Sequence, residues 1–561
     1  MQENNKKTII RHYVGEIPLL QAMADKLQLR EVLSLYIDRH GNEKISAVDT
    51  LMLLLFNMAS GRYPLYELQQ WVGKLDSRMF SFDNADADLF SDDRFARALD
   101  KLYQVDRATL TTHIAMHTVN SLGLNMNQIH NDSTTIKAHG QIKGITDSGF
   151  QLCKGNSKDH RPDLKQLVYS LTISNDGAVP VHYKAYSGNR TDDTTHIETW
   201  DNMRQIIGRP DFLYVADCKV CTDAQLFHIT EKNGRVVTVV PETWSEVRDF
   251  KDELRLKNKP AKLMLRRPIP GQLDKYESFH RYTEECKTQK RNYTIYWIRS
   301  SEKKKQDYHR RDKRLIRTED AFTELLPKLN KRKLKSEEQI TASVDAILKR
   351  YKTKPFYIIN LTRKLVSYRK QKGKGRPGSN TEYFIEAVPE YRLSWQRNKE
   401  ALKQEKNVDG IFPLLCTDEK MTAKQTFDAY KYQPRLEKRF TQFKSIHNGA
   451  PLLFKKIERV EAIMFIFFLC LILQAAIERE VRKQMKKEDL KNIAVYPEHR
   501  LAYHPTTAKI FDRFAELSTY QLSENGCVLE EYRDQLEQVH MQILNLLHIN
   551  VEQFWPESVN T

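Results

Sequence analysis

The spacing of apolar residues predicts helices in the first fifth of the chain. Leu20, Met23, Ala24 and Leu27 follow the i, i+3, i+4, i+7 spacing of one buried helix face. We therefore predict a helical N-terminal domain over residues 1–118. Such a domain either binds DNA or only packs on the rest of the chain, and we favour DNA binding.

Alternation of apolar and polar residues predicts strands over residues 119–245. The stretch "NQIHNDSTTIKAHG" alternates and is rich in β-forming residues. The stretches "LVYSLTIS" and "VPVHYKAYS" are separated by "NDGA", which is a hairpin signal. "DFLYVADC" and "GRVVTVVP" are short apolar runs typical of buried strands. Five strands followed by a helix favour a mixed α/β sheet.

The pattern changes again after this sheet. Residues 246–420 contain further strand-like stretches, a charged helical stretch and the flexible basic loop "QKGKGRPGSN". A helix begins at Pro434 within residues 421–485, and residues 486–561 look helical. The apolar run "AIMFIFFLCLIL" is too short to span a bilayer, so we predict a helix buried in the protein core.

Positive charge is concentrated in one part of the chain. The formal net charge is +17, from 90 Lys/Arg and 73 Asp/Glu. Residues 246–410 hold 43 Lys/Arg and 23 Asp/Glu, a net charge of +20, and the remainder has a net charge of −3 (47 − 50). A segment with this surplus indicates a polyanionic partner, and phosphate-rich DNA is the obvious one.

The cysteines give little evidence of a metal centre. Seven are present, mostly scattered, which is typical of reduced thiols in a cytoplasm. Cys218 and Cys221 form one C-x-x-C pair, but no second pair follows at zinc-site spacing. We expect no zinc site.

Three acidic residues are candidates for chemistry. Asp132 lies in the middle of the first predicted strand of the sheet, and Asp217 ends the fourth. A carboxylate in such a place is costly unless it is paired, hydrogen-bonded or bound to metal. Two acids on adjacent strands can hold a divalent cation, and Glu437, near the start of the helix that begins at Pro434, can supply a third oxygen ligand. Lys444 lies two helical turns later on the same face, where it can contact DNA.

Each of these acids also has an ordinary explanation. An aspartate at a strand end is often a turn or cap residue, and Glu437 can be half of a helical ion pair. Glu458, Glu461 and Glu478 are rival third acids from the same region. The residue pattern alone leaves these alternatives open.

The segment "YKYQPRLEKRFTQFK" resembles a known signature. It is similar to the Y-(2)-R-(3)-E-(6)-K motif of insertion-sequence DDE transposases of the IS-four superfamily, and the matching positions are Tyr430, Gln433, Glu437 and Lys444. Gln433 stands where the family has arginine, and Arg435 or Arg439 can supply that phosphate contact instead. The stretches "IHNDSTTIKAHG", "GNSKDHRPDLKQ" and "FLYVADCKVCTD" also resemble the motifs around this group's first and second aspartates.

The resemblance implies an α/β fold. It implies a ribonuclease H-like mixed sheet core interrupted by a β-rich basic insertion, with a helical N-terminal domain and a helical C-terminal region. The first part of the catalytic core is then residues 119–245, the insertion 246–420, the second part of the core 421–485 and the C-terminal region 486–561. The basic segment lies within the 220 residues (437 − 217) between the second and third acids, where this superfamily carries its insertion.

The resemblance also implies a function. The expected protein is a DNA transposase with Asp132, Asp217 and Glu437 as catalytic residues and as ligands of two Mg²⁺ ions, or of Mn²⁺ in their place. The implied DNA contacts are Tyr430, Gln433, Arg435, Arg439 and Lys444. The implied partners are double-stranded DNA, both terminal inverted repeats and target, and a second copy in a synaptic homodimer, without a membrane, on the nucleoid of a bacterial or archaeal cytoplasm.

Two other functions fit the same residues. One is a structure-specific DNA nuclease with this core, which cuts DNA without joining it. The other is a catalytically inactive DNA-binding protein derived from a transposase, which the replacement of arginine by Gln433 allows and the complete acid triad opposes.

Overall fold

The chain folds into two compact units. The structure, a computed structural model, describes residues 7–39, 41, 43–61, 63–80, 88–138, 142, 144–155, 163–190, 195–257, 259–269, 272, 274–331, 333–446, 455–498, 500–524 and 527–557. The first unit comprises Met1–Thr238 and Gln425–Thr561, and the second comprises Val239–Lys424. Most of the motif "GNSKDHRPDLKQ", residues 156–162, lies outside the described residues.

The first unit contains a central sheet with helices before and after it. Its elements up to the second unit are β1 Lys7–Tyr13, α1 Ile17–Lys26, α2 Leu29–Ser34, α3 Ala47–Ser60, α4 Leu68–Lys74, α5 Asp92–Gln104, α6 Arg107–Leu122, β2 Gln128–Ala138, β3 Lys165–Ser174, β4 Pro180–Ser187, α7 His196–Ile207, β5 Leu213–Val215, α8 Asp223–Glu231 and β6 Arg235–Val239.

The second unit follows in sequence, and the chain then adds the C-terminal elements of the first unit. The second unit contains α9 Ser245–Leu256, β7 Ala261–Pro268, β8 Tyr276–Tyr282, β9 Cys286–Lys287, β10 Thr294–Ser300, α10 Ser301–Leu325, α11 Glu337–Tyr351, β11 Tyr357–Gln371, β12 Tyr383–Arg397, α12 Lys399–Val408 and β13 Ile411–Cys416. The chain then forms α13 Ala423–Tyr430, α14 Pro434–Thr441, α15 Ile457–Lys487, α16 Thr507–Phe514, β14 Ser518–Glu524, β15 Cys527–Arg533, α17 Gln538–Leu547 and α18 Val551–Phe554.

The central sheet of the first unit has the strand order β4-β3-β2-β5-β6. Strands β2, β3 and β4 are antiparallel neighbours, whereas β5 runs parallel to β2 and β6 runs parallel to β5. Three antiparallel strands followed by two that run parallel to the first give the topology of a ribonuclease H-like fold. The α/β fold class predicted from the sequence is therefore confirmed.

Helix α15 is the core helix of the first unit. It packs against α3, α5, α17 and β4. The predicted apolar run covers only its middle, because the helix continues through charged residues to Lys487. Its length and composition would allow it to cross a membrane, but 94% of its most apolar window is buried inside the protein. Arg479 is a buried charge in this helix, and Asp176 pairs with its guanidinium at 2.6 Å.

The N- and C-terminal parts meet in a small sheet that the sequence did not predict. Strand β14 pairs with β1 on one side and with β15 on the other, all antiparallel. The C-terminal region, predicted as helical, is therefore α+β, with a hairpin over Ser518–Arg533 between its helices. Residues 1–118 are mainly helical, as predicted, apart from β1.

The second unit has its own sheet and its own core. Strands β13, β10, β8 and β7 are antiparallel neighbours, and the short β9 pairs with β10. A separate cluster of buried residues joins α10 and α11 to the base of the β11–β12 hairpin. The two strands of that hairpin pair over fifteen positions, from Tyr357 with Arg397 to Gln371 with Tyr383.

Candidate active site

Asp132 and Asp217 lie at the same level on neighbouring strands. In the parallel pair β2–β5, His130 is paired with Val215. Each aspartate is two residues beyond a member of this pair, Asp132 within β2 and Asp217 just after the end of β5, so the two residues lie at the same level of the sheet. Adjacent strands lie about 4.8 Å apart, which is close enough for two carboxylates to share a cation.

The backbone around Asp217 is held by short polar contacts. Strand β5 ends at Val215, and the Asp217 carboxylate then accepts a hydrogen bond from the backbone N–H of Lys219 at 3.0 Å. The backbone carbonyl of Asp217 accepts a hydrogen bond from the Thr238 hydroxyl at 2.6 Å. On β2, the Asp132 carboxylate lies 2.7 Å from the backbone nitrogen of Ser133.

A buried histidine lies behind Asp217. His196 Nδ1 forms a 2.9 Å hydrogen bond with the hydroxyl of Tyr214, and its Nε2 lies 3.9 Å from a carboxylate oxygen of Asp217. Burial raises the pKa of Tyr214 far above its usual value, and the charges of Asp217 and Asp132 add to this effect. The sequence analysis missed both residues: His196 lies outside the motifs, and Tyr214 lies within "FLYVADCKVCTD", where it was treated only as part of a buried strand.

Gln433 fixes the start of α14 beside Asp132. Its side-chain oxygen lies 3.0 Å from His130 Nδ1, and its amide nitrogen donates to the backbone carbonyl of Asn131 at 3.0 Å. Gln433 is 7% exposed. The predicted DNA contact at Gln433 does not match this placement, because both ends of the amide bind β2 inside the protein.

The pKa of Tyr430 is affected by all three predicted acids. Burial raises the pKa of its phenol to about 12, and the negative charges of Asp217, Glu437 and Asp132 contribute to the rise, together with Cys218. All three carboxylates therefore lie within electrostatic range of one hydroxyl group. Tyr430 is the last residue of α13, three residues before Gln433.

Glu437 is the exposed member of the group. It lies in the first turn of α14, and its side chain faces solvent. Within the described part of the chain, no three His, Cys, Asp or Glu side chains are close enough together to form a metal site. The donor set nevertheless fits a hard cation, because all three side chains offer carboxylate oxygens and the two aspartates share a strand level.

The remaining predicted contacts differ in exposure. Arg435 is exposed and lies 4.9 Å from the ring centre of Tyr432. Lys444 is half-buried in a π-helical turn, Gln442–Ile446, that follows α14. The expectation that Lys444 and Glu437 share one helix face assumed a continuous α-helix, and the helix is α-helical only to Thr441.

Arg439 has a structural position. It is 5% exposed, pairs with Glu478 at 3.0 Å and donates to the carbonyls of Ala178 and Gly177 at 3.1 Å each. These contacts use the guanidinium inside the protein, so its placement does not match the predicted DNA contact.

Two of the three rival acids pair with arginines. Glu478 is buried, and although burial raises its pKa, Arg439 and Arg482 bring the pKa below its usual value. Glu461 pairs with Arg107 at 2.9 Å, with both side chains largely buried. Glu458 is half-buried in the first turn of α15. Among these three glutamates and Glu437, only Glu437 is one of the main groups that raise the pKa of Tyr430.

Several cationic side chains on and near α14 influence one another. Burial lowers the pKa of His504, and the charges of Arg482, Arg435 and Lys438 lower it further. Burial also lowers the pKa of Arg482, and the charges of Arg439 and Arg435 lower it further, whereas Glu478 and Tyr432 act in the opposite direction. A concentration of positive charge beside the three acids is suited to binding phosphate groups.

The first comparisons are of sequence. Residues 9–116 match the profile of a family described as a domain of unknown function, DUF4277. No curated protein sequence matches the chain.

Nine solved protein chains match the structure. A piggyBac transposase synaptic complex with hairpin DNA has 8% identity and a TM-score of 0.26, over 86% of this chain and 87% of that one. A pre-cleavage Mos1 transpososome has 10% identity, and a Mos1 paired-end complex with the left transposon end has 11%. Each Mos1 match has a TM-score of 0.15 and covers 36% of this chain and 61% of the other. TM-scores this low do not support a conclusion about the function of this chain.

Proposed function

We propose that this protein is a DDE-type DNA transposase of the insertion-sequence kind. It would cleave the ends of its own element and join the freed 3′-hydroxyl ends to target DNA. The observation that supports the proposal is the position of Asp132 and Asp217 at one level of neighbouring strands in a ribonuclease H-like sheet, together with the effect of these two charges and of Glu437 on the pKa of Tyr430. The resemblance of residues 430–444 to the transposase signature supports the same conclusion.

The three carboxylates are the proposed ligands of Mg²⁺. Asp132 and Asp217 offer oxygens from neighbouring strands, and the exposed Glu437 can turn towards them from the first turn of α14. When bound, Mg²⁺ supplies Lewis-acid polarisation of the phosphodiester and stabilises the charge that develops on the leaving oxygen.

The neighbouring side chains have separate roles in this proposal. Tyr430 carries its proton at neutral pH, as an ordinary tyrosine does, and can donate a hydrogen bond to a phosphate oxygen. Arg435 and Lys438 are exposed on α14 and can contact phosphates on either side of the scissile bond. Gln433 sets the position of α14 and therefore of Glu437.

The proposed partners are DNA and a second copy of the protein. The net charge of +20 over residues 246–410 suits the binding of duplex DNA. Cleavage at two ends of one element before joining suits a homodimer that holds both ends.

The test uses the DNA that flanks the reading frame. We expect the wild-type protein to cleave a plasmid carrying both flanking segments in Mg²⁺ and to join the 3′ ends to a second plasmid. Asp132→Asn, Asp217→Asn and Glu437→Gln should each lower cleavage at least about a hundredfold while keeping DNA binding in EDTA. Glu231→Gln, which removes an exposed carboxylate on α8, is the matched control and should cleave normally.

The result also decides between functions. Cleavage without joining would indicate a nuclease with the same core. DNA binding without cleavage by the wild-type protein would indicate a transposase-derived binding protein. Normal cleavage by all three carboxylate variants would show that the assigned acids are wrong.

A further inference from the structure

The β11–β12 hairpin extends far beyond the core that holds its base. At the base, Tyr357 and Leu393 are buried in the cluster with Phe322 and Val344. From residue 364 to residue 390, by contrast, none of the 27 residues (390 − 364 + 1) is buried. We call residues 364–390 the arm. At about 3.3 Å per residue, the arm extends roughly 20–25 Å.

The arm exposes large apolar side chains on both faces. Leu365 is 60% exposed and Ile385 75%, and both lie on one face because Ile385 pairs with Arg369, four residues after Leu365. Tyr368 and Phe384 are 43% and 45% exposed on the opposite face. A two-stranded hairpin is marginally stable alone in water, and exposed apolar patches mark binding surfaces. The arm therefore has the features of an element that binds a partner.

The charge of the arm identifies the kind of partner. Residues 364–390 contain six Lys/Arg and three Asp/Glu, a net charge of +3. Within the described residues, Lys364, Lys374 and Arg376 have no carboxylate partner, and the Arg369 guanidinium lies over the ring of Tyr383 at 4.2 Å. Protein–protein interfaces are depleted of lysine, whereas DNA-binding surfaces use Lys and Arg beside apolar contacts to bases.

We propose that the arm binds duplex DNA as a β-ribbon, with its cations on the phosphates and its apolar side chains against the base edges of a groove. The major groove of B-DNA admits a two-stranded ribbon of this kind. The choice of DNA as the partner rests on the proposed function, but binding by the arm does not require the carboxylates.

The test compares four variants of the full-length protein. Lys374→Ala with Arg376→Ala removes two charges from the tip, and Leu365→Thr with Ile385→Thr removes apolar contacts. A deletion of residues 365–389, closed by Asn-Gly between the register partners Lys364 and Glu390, removes the whole arm. Lys349→Ala with Arg350→Ala is the matched control, because it removes the same two charges from the exposed last turn of α11.

DNA binding is measured in EDTA by fluorescence anisotropy over a range of salt concentrations. The tip charge variant should reduce the slope of log K against log salt by roughly 1.8, and the control should leave it unchanged. The apolar variant should bind more weakly with an unchanged slope, and the arm deletion should show both effects. Sedimentation should show the same oligomeric state for every variant.

Two results would overturn the proposal. One is wild-type affinity and slope in the arm deletion. A wild-type protein that does not bind DNA counts as the same result, because the arm then contributes nothing to DNA binding. The other is a changed oligomeric state in the deletion with DNA binding intact, which would assign the arm to a second copy of the chain. If the arm variants bind normally while cleavage depends on Asp132, only the arm proposal fails. If the arm variants bind weakly while Asp132→Asn still cleaves, only the catalytic assignment fails.

Discussion

Gln433 connects the start of α14 to the strand that carries Asp132. Gln128 donates to His130 Nε2 at 2.8 Å, so the proton of the neutral imidazole is on Nδ1 and is donated to the Gln433 oxygen. Burial lowers the pKa of His130 to about 4, which keeps the ring neutral. The position of Glu437, one helical turn later, therefore depends on a neutral hydrogen-bond network in the sheet.

A substitution separates this structural role from the DNA contact predicted from the sequence. Gln433→Ala leaves a buried N–H and a buried carbonyl without partners, so we expect the free energy of unfolding to fall by ~2–3 kcal/mol in urea titrations. Gln70→Ala, at an exposed position on α4, should change it by less than about 0.5 kcal/mol. Unchanged stability with weakened DNA binding in Gln433→Ala would favour the DNA contact instead.

The sequence locates the two aspartates relative to their strands, but not the burial of the residues around the signature. Strand alternation and a short apolar run locate Asp132 and Asp217, because these are local patterns. A signature match gives the spacing of Gln433 and Glu437, but not which side of α14 is buried, and so not that Arg439 lies inside the protein. That depends on the turn between β3 and β4 and on α15, which supply Arg439 with carbonyl and carboxylate partners.

One buried carboxylate links α14 to α15 and α16. Glu478 on α15 pairs with Arg439 at 3.0 Å and with Arg482 at 3.4 Å, and it accepts a hydrogen bond from the backbone N–H of Thr507 at 3.0 Å. These contacts join α14, α15 and α16. They hold the charged side chain of Arg439 in place inside the protein, where it is only 6% exposed.

Removing this carboxylate tests how strongly the elements are joined. Glu478→Gln leaves a buried arginine without a counter-charge, so we expect a loss of about 3–5 kcal/mol in the free energy of unfolding. The matched control is Asp512→Asn, which breaks an exposed ion pair with Lys509 on α16 and should cost less than about 1 kcal/mol. Similar losses in the two variants would contradict a special role for Glu478.

Element boundaries were predictable only where the pattern was local. The sequence located β11 and β12 as separate strands, but not their pairing over fifteen positions, because that register joins residues across a polar loop. The apolar run marks only the middle of α15 for a related reason. Its charged C-terminal half is buried through ion pairs with residues distant in sequence, such as Asp176, and no apolar pattern marks it.

Segments near the two ends of the chain contact each other. Strand β1 pairs with β14, and the register partners Lys7 and Glu524 are more than five hundred residues apart in sequence. Arg78 also binds Glu531 of β15 at 3.0 Å. No local pattern predicts such pairings, so the helical C-terminal region was the least accurate part of the predicted fold.

Acid should destabilise the protein before its carboxylates titrate. Burial lowers the pKa of His182 from 6.5 to about 4, with a further contribution from Lys184, and His130 is similarly lowered. Below pH 6.5 the unfolded chain therefore binds more protons than the folded one, and stability falls between pH 6.5 and pH 4. At pH 4.5 we expect a loss of ~2 kcal/mol for each of these histidines, relative to pH 7.

The measurement is urea unfolding at pH 7.0, 5.5 and 4.5 for the wild-type protein and for His182→Asn. The variant has no proton to gain at this position, so its stability should fall less steeply over the same range, whatever its stability at pH 7. The exposed His309 provides the control, because His309→Asn should retain the wild-type slope. An equal slope in all three proteins would mean that His182 is already protonated or solvated in the folded state. The acid sensitivity would then have to come from other groups.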